Sequence, residues 1–213
     1  MTTGQAEPFQ LALAGLRTRL REGGFPPGAR IAATEVAETL HLSATPVREA
    51  LSRLAGEGLL EDRRGHGFYL RALSGGEVGD LFRLSLSQLL IAQDPHRERP
   101  APQGVEATEG RDSDEVDPVP QVEWLFTRWV AEARSRTLSA AFRTTLILLG
   151  PARRAEPKLL HDLQTEADDL QALAAPDLVT ARASALRRFH LRRVALADRL
   201  AALAYHGSQS SQQ

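Results

Sequence analysis

Residues 43–51, Ser-Ala-Thr-Pro-Val-Arg-Glu-Ala-Leu, decide the fold of the N-terminal part of this chain. Pro46 suits the first turn of a helix, where its missing N–H costs nothing, and the hydroxyl of Ser43 can cap that turn. Small or polar residues and one arginine, Arg48, share one face of the predicted helix. The other face is predicted to be buried, because apolar residues recur there at i, i+3, i+4 and i+7: Val47, Ala50, Leu51 and Leu54.

Patterns on either side of this helix predict a winged helix-turn-helix. Residues 9–21 and 34–40 form two preceding helices, and His41-Leu42 leaves a turn too short for anything but two crossed helices. Residues 59–70 then predict a small β-hairpin whose turn, residues 63–67, carries the basic side chains. The predicted fold class is mainly α, with this N-terminal domain followed by an all-helical bundle.

The face of the third helix that carries Arg48 predicts DNA binding. A protruding helix fits the major groove when its leading side chains are short, as those of Ala44 and Thr45 are. Arg48, one turn along, is long enough to reach a guanine edge with two hydrogen bonds or to hold a phosphate. A single exposed arginine can equally be a solvated side chain on an ordinary helix, but the surrounding pattern favours DNA contact.

Residues 25–70 resemble the winged helix of the GntR family of bacterial transcription regulators. The resemblance rests on Pro27-Gly28-Ala29-Arg30-Ile31, Glu35-Val36-Ala37, residues 42–51, Glu57-Gly58-Leu59 and Gly65-His66-Gly67. It implies DNA contacts from the third helix and a wing tip placed in the minor groove. The candidate DNA-binding residues are Ser43, Ala44, Thr45, Arg48, Arg64, Gly65 and His66.

The sequence departs from this family at two positions. Ala44 and Thr34 stand where members commonly have an arginine. Each lost phosphate contact lowers the salt dependence of binding by ~0.9 per charge. The resemblance therefore implies DNA binding that is weaker or differently specific than in typical members.

Composition excludes several classes of protein. The 213 residues include no cysteine, so a disulfide scaffold, a zinc ribbon and a thiol nucleophile are impossible. The longest apolar run, residues 200–205, is far shorter than the roughly 18 residues that span a bilayer, which predicts a cytoplasmic protein without membrane contact. No Gly-x-Ser-x-Gly, P-loop or His-Glu-x-x-His motif is present, so the sequence does not predict an enzyme. The net charge of −1 means that any DNA binding comes from a local surface.

The domain prediction has two parts and a tail. Residues 1–74 form the DNA-binding domain, residues 75–206 form a helical effector-binding and dimerisation domain, and residues 207–213 form a disordered tail. Residues 95–120, rich in proline and acids, are predicted to be a mobile loop, with an acidic interaction tract as the alternative. Helices are predicted over residues 77–93, 122–133, 138–149, 157–173 and 177–204, with Ser74 and Glu77 as a capping box and breaks at Gly150-Pro151 and Ala175-Pro176.

Behind a GntR winged helix, the second domain resembles the FCD effector domain of the FadR subfamily. Many such domains hold a divalent metal through one acid and three histidines, and the resemblance places Glu123, Thr127, Glu166 and Arg188 at those positions. Only Glu123 keeps a ligand type that matches its position, and a cationic arginine would repel a dication. We therefore predict no bound metal and no cofactor, and expect Glu123 or Glu166 to pair with Arg188.

Other residues of this domain have weaker signals. Arg83 is a candidate anchor for an anionic, carboxylate-like effector. His161 and His190 are candidate displaced metal ligands, but His190 is predicted to lie ~200° around its helix from the inward face. Trp124 and Trp129 are predicted to anchor the core or an interface rather than a ligand cage.

The sequence therefore predicts a homodimeric transcription regulator. It binds a palindromic double-stranded DNA operator as a repressor and responds to a small-molecule effector. The alternative is a binding module that a protein partner controls, through residues 95–120, or that acts through its abundance.

Overall fold

The N-terminal domain is a winged helix-turn-helix, as predicted. The computed structural model describes residues 7–26, 28–94, 117–175 and 178–206. The domain contains, in chain order, α1 (Pro8–Arg21), β1 (Arg30–Ile31), α2 (Ala33–Leu40), α3 (Ala44–Gly56), β2 (Leu60–Arg63) and β3 (Gly67–Leu70). The strands form an antiparallel sheet in the order β1-β3-β2. The predicted hairpin is β2 and β3; the pairing of β1 against β3 was not predicted.

The apolar face of α3 is buried, which orients the whole domain. Val47, Ala50, Leu51 and Leu54 are each 0% exposed and pack in one cluster with Leu16 of α1. The turn before α3 is tight because His41 adopts the left-handed conformation, with φ 54°. One expectation is wrong: Ser43 precedes the first residue of α3, but its hydroxyl makes no capping hydrogen bond.

The second domain is a bundle of helices. They are α4 (Gly75–Ala92), α5 (Pro118–Glu132), α6 (Arg136–Ala155), α7 (Leu163–Ala172), α8 (Val179–Ala195) and α9 (Ala197–Ala201), with a 3₁₀ turn at Glu156–Lys158 and a π turn at Ala202–His206. The capping box of α4 is confirmed: Ser74 N–H donates to the Glu77 carboxylate, and Glu77 N–H donates to the Ser74 hydroxyl.

Several predicted helix ends are wrong. The helix α5 begins at Pro118, inside the predicted loop, because the Asp117 carboxylate accepts a hydrogen bond from Val119 N–H at 2.9 Å. Gly150-Pro151 does not end α6, since buried apolar residues on both sides of the proline hold the helix together. The segments predicted as single helices over 157–173 and 177–204 are each interrupted.

Some predictions lie outside the described residues. These are the mobile loop over positions 95–116, the break at Pro176 and the tail over 207–213. In the part of the chain that is described, no helix combines the length and the apolar character needed to cross a bilayer.

The two domains meet where α1 packs against α6. Ile147 of α6 belongs to the apolar cluster of the winged helix. A Cβ atom added to Gly150 would lie 2.4 Å from the carbonyl oxygen of Arg21, so the two backbones approach more closely than an alanine would permit. The small apolar pocket beside this contact, lined by Leu20, Leu73 and Tyr205 among others, has room for water-sized molecules only.

Candidate nucleic-acid interface

The outward face of α3 brings together the residues predicted to contact DNA. Ser43, Thr45 and Arg48 are exposed, whereas Ala44 is half-buried and packs against the apolar core. Arg48 makes no hydrogen bond or ion pair with any residue in the described part of the chain. Its guanidinium donors are therefore unused by the described residues and are available to a ligand.

The wing is the turn between β2 and β3. Gly65 and Gly67 have φ values of 74° and 96°, which residues with a side chain rarely adopt. The turn is closed by a hydrogen bond of 2.8 Å from His66 N–H to the Arg63 carbonyl. Gly65 is exposed and has no Cβ atom, so the backbone of another molecule can approach it closely. Arg64 and His66 are exposed at the same tip, with the ring Nδ1 of His66 2.9 Å from the Arg64 carbonyl oxygen.

The two arginines of the wing differ. The Arg63 guanidinium binds the Glu61 carboxylate at 2.9 Å and lies 4.2 Å from the centre of the Tyr69 ring. Arg63 is thus held against the surface of the sheet in an exposed ion pair. Arg64 has no such partner among the described residues, so it is the free cation of the tip.

A further cation beside the wing was not identified from the sequence. Arg30 of β1 lies opposite Tyr69 and is exposed, and its Nε is 3.1 Å from the point where a Cβ of Gly67 would lie. Arg30 has no ion pair with a described residue. A strand of two residues has no detectable periodicity, so no sequence signal placed Arg30 at the wing.

The structure does not gather the five residues predicted to bind an effector. Arg83 is exposed and pairs with Asp80 at 3.0 Å. Thr127 is exposed and its hydroxyl donates to the Glu123 carbonyl at 2.7 Å, and Arg188 is exposed on α8. Glu123 is buried in the bundle, and Glu166 is half-buried.

The expected pairing of Glu123 or Glu166 with Arg188 is wrong. Glu123 accepts a hydrogen bond from Arg154 at 2.8 Å, and Glu166 accepts one from Arg193 at 2.7 Å. Arg193 is five residues beyond Arg188, which turns it about 140° around α8 and onto the inward face.

Buried ion pairs fill the centre of the bundle. Glu156 is 0% exposed, and its carboxylate accepts hydrogen bonds from Arg153 at 2.6 Å and from Arg193 at 2.9 Å. The Arg193 guanidinium also lies 3.3 Å from the centre of the Phe189 ring. Burial alone would lower the pKa of Arg193, but the carboxylates of Glu156 and Glu166 outweigh it and raise that pKa.

His190 faces inward, which corrects the prediction that it turns away. It is 1% exposed, its Nε2 lies 3.0 Å from the Ser85 hydroxyl, and its Nδ1 lies 2.8 Å from the Leu186 carbonyl oxygen. Burial lowers the pKa of His190 to about 3, so the ring is neutral. His161, the other candidate, is exposed.

The bundle centre does not fit a divalent metal. Both ring nitrogens of His190 are engaged, and the guanidiniums of Arg153 and Arg193 would repel a dication. Among the described residues, no three histidine or carboxylate side chains are arranged to hold a metal. Trp129 is buried beside Phe126, as an anchor of the core, whereas Trp124 is 38% exposed.

Known proteins resemble this chain in two ways. In sequence, the Nta operon transcriptional regulator of Aminobacter aminovorans is 45% identical over 60 residues, which is 28% of this chain and 29% of that protein. The Uxu operon transcriptional regulator of Escherichia coli (strain K12) is 38% identical over 79 residues, 37% of this chain and 31% of that protein. The chain thus spans about a third of the length of each of these relatives.

The fold likeness extends further along the chain. The solved structure of E. coli McbR/YncC has a TM-score of 0.69 at 16% identity and covers 92% of this chain and 99% of its own. A putative transcriptional regulator GntR from Rhodococcus sp. RHA1 has a TM-score of 0.67 at 13% identity, covering 90% and 98%. The helical bundle and the winged helix therefore belong to one known architecture.

The family model for bacterial regulatory proteins of the gntR family matches residues 11–70. This range begins in α1 and ends with β3, so it includes the helix-turn-helix and the wing. Residues 11–70, which form a winged helix-turn-helix, are thus similar to the gntR family of bacterial regulatory proteins.

Proposed function

We propose that this chain is a transcription regulator that binds double-stranded DNA through α3 and the wing. The observation that carries the proposal is the exposed Arg48, which has no partner among the described residues and lies on a helix whose opposite face is fully buried. An arginine in that position can read a guanine edge in the major groove. Arg30 and Arg64 add two cations at the wing that have no ion pair with a described residue, where phosphates of the adjacent backbone would lie.

We further propose that the regulator is a homodimer on a palindromic operator. The net charge of −1 gives no general attraction to DNA, and one α3 offers a single arginine for base contact. Affinities of roughly 10⁻⁸–10⁻¹¹ M, usual for specific sites, need more contacts than one such helix supplies. Two copies related by a two-fold axis double the contacts and bind symmetric half-sites. We propose that such a dimer, bound at a promoter, represses transcription from it.

Selecting duplexes that bind the purified protein from a library of random DNA tests both sequence-specific binding and binding as a homodimer. The expected result is enrichment of one sequence with two-fold symmetry, bound by two copies of the chain. Enrichment of a sequence without symmetry would contradict the dimer, and no enrichment over the starting library would contradict sequence-specific binding. A reporter gene with the selected sequence at its promoter tests repression: expression should fall when the regulator is present.

A second proposal concerns control of the regulator. The ion pairs at the bundle centre support the view that no external carboxylate acts there, because the Arg153 and Arg193 guanidiniums are already paired with carboxylates of this chain. Control then comes from a protein partner or from abundance. In a thermal-shift screen of the wild-type protein, small carboxylates should change the melting temperature no more than chloride does at equal ionic strength. A saturable shift would instead support a carboxylate effector.

A further inference from the structure

The carboxylate of Glu156 is bound as an external carboxylate ligand would be. Arg193 approaches it with two parallel hydrogen bonds, from Nε to Oε1 and from Nη2 to Oε2, each 2.9 Å long. Arg153 contributes Nη1, which lies 2.6 Å from both oxygens. Paired donors in this planar arrangement are the geometry by which arginine recognises carboxylates.

The two arginines are held in place independently of Glu156. Arg193 donates to the Phe189 carbonyl at 3.0 Å and to the Glu166 carboxylate at 2.7 Å. Arg153 donates to the Val119 carbonyl at 3.4 Å. These contacts come from α5, α7 and α8, so most of the site would persist without the Glu156 side chain.

Because the site is buried, its two arginines need a carboxylate between them. The side chains of Arg153, Arg193 and Glu156 are 4%, 0% and 0% exposed. At the protein surface, water can solvate a cation that has lost its carboxylate partner, but water cannot do so at this buried site. Without the Glu156 carboxylate, the cations of Arg153 and Arg193 would lie near each other in a medium of low polarity.

We propose that Arg153 and Arg193 form a carboxylate-binding site whose ligand in this chain is the side chain of Glu156. The wild-type site is closed to external carboxylates because its own glutamate fills it. Deleting that side chain opens a site for a small monocarboxylate. This proposal concerns the bundle alone and does not depend on DNA binding.

The substitution Glu156→Ala tests the proposal, because it removes four heavy atoms that correspond to those of acetate. In the full-length variant, the melting temperature should fall well below that of the wild type in chloride. Acetate should raise it in a saturable way, by about 3–6 °C at ten times its dissociation constant. Formate should act more weakly, and propionate, with one more carbon, should not fit.

Two variants serve as controls. Glu156→Gln removes the charge but keeps the volume, so acetate should have no site and no saturable effect. Glu57→Ala removes a carboxylate that also binds two arginines, Arg17 and Arg53, but those side chains are 27% and 65% exposed and water can solvate them. Acetate should therefore change the melting temperature of Glu57→Ala no more than that of the wild type.

The outcome is decisive even if Glu156→Ala does not fold in chloride. Folded protein recovered in acetate, and lost on exchange into chloride, would support the proposal. A melting temperature that acetate does not raise, an equal rise in all four proteins, or no folded protein in either buffer would overturn it.

Discussion

The guanidinium of Arg21, in the last turn of α1, lies 3.9 Å from the buried carboxylate of Glu123 on α5. Glu123 also lies 3.8 Å from Arg153, the arginine that binds Glu156. A continuous series of ion pairs thus runs from the winged helix to the centre of the bundle. The same Arg21 contributes the carbonyl oxygen that Gly150 approaches. Both contacts lie where the winged helix packs against the bundle.

The substitution Gly150→Ala should weaken this contact between the domains. Its Cβ atom would lie 2.4 Å from the Arg21 carbonyl oxygen, so α1 must move away from α6. We expect a loss of about 1–3 kcal/mol in the free energy of unfolding, the usual cost of overpacking, measured by urea denaturation.

Gly56→Ala is the matched control for that substitution. It also lies in a helix, and nothing lies within 4 Å of its added Cβ atom. Alanine is the better helix former, so stability should be unchanged or rise by up to about 1 kcal/mol. Equal effects of the two substitutions would contradict the tight packing of α1 on α6.

His190 should make the protein less stable in mild acid. Burial lowers the pKa of His190 to about 3, whereas the ring titrates near its ordinary value of 6.5 in the unfolded chain. Below pH 6.5 the unfolded state therefore binds a proton that the folded state does not bind. The stability that depends on neutral His190 is complete above pH 6.5 and is lost progressively as the pH falls towards 3.

Urea denaturation at pH 7 and pH 5.5 measures this effect. The wild type should lose about 1 kcal/mol more between the two pH values than the variant His190→Gln, which cannot titrate. An equal loss in both proteins would show that His190 is accessible to protons in the folded state.

Arg30 should contribute to DNA binding as a phosphate contact. Neutralising it in Arg30→Gln removes one charge beside the wing, and the slope of log K against log salt concentration should become less steep by about 0.9. The measurement is a salt titration of binding to the selected duplex. Arg143→Gln, an exposed arginine on α6, is the control and should keep the wild-type slope. A wild-type slope for Arg30→Gln would remove Arg30 from the interface.

Local patterns were sufficient to predict most of the winged helix and the start of α4. The buried face of α3, the glycines of the wing and the capping box at Ser74 and Glu77 each depend on residues within one or two turns of chain. They could therefore be read from spacing alone. The match of residues 11–70 to the family model agrees with that prediction.

The bundle centre could not be predicted in the same way. Gly150-Pro151 is a strong local stop, yet tertiary packing of α6 overrides it. The position expected for a central arginine was Arg188, whereas Arg193 occupies the centre. The apolar repeat of Leu186 and Phe189 places Arg193 on the buried face, but it does not say which carboxylate Arg193 meets. Such long-range pairings depend on how α5, α6, the 3₁₀ turn at Glu156–Lys158, α7 and α8 meet in space. The periodicity of a single helix does not encode this.

The affinity of Arg48→Ala for the selected duplex at moderate salt, compared with that of Arg143→Ala, tests whether α3 reads DNA. Both substitutions remove one exposed arginine that has no partner in the described part of the chain. We expect Arg48→Ala to lose specific binding while Arg143→Ala binds as the wild type does. Undiminished affinity in Arg48→Ala would contradict the assignment of α3 as the helix that reads DNA.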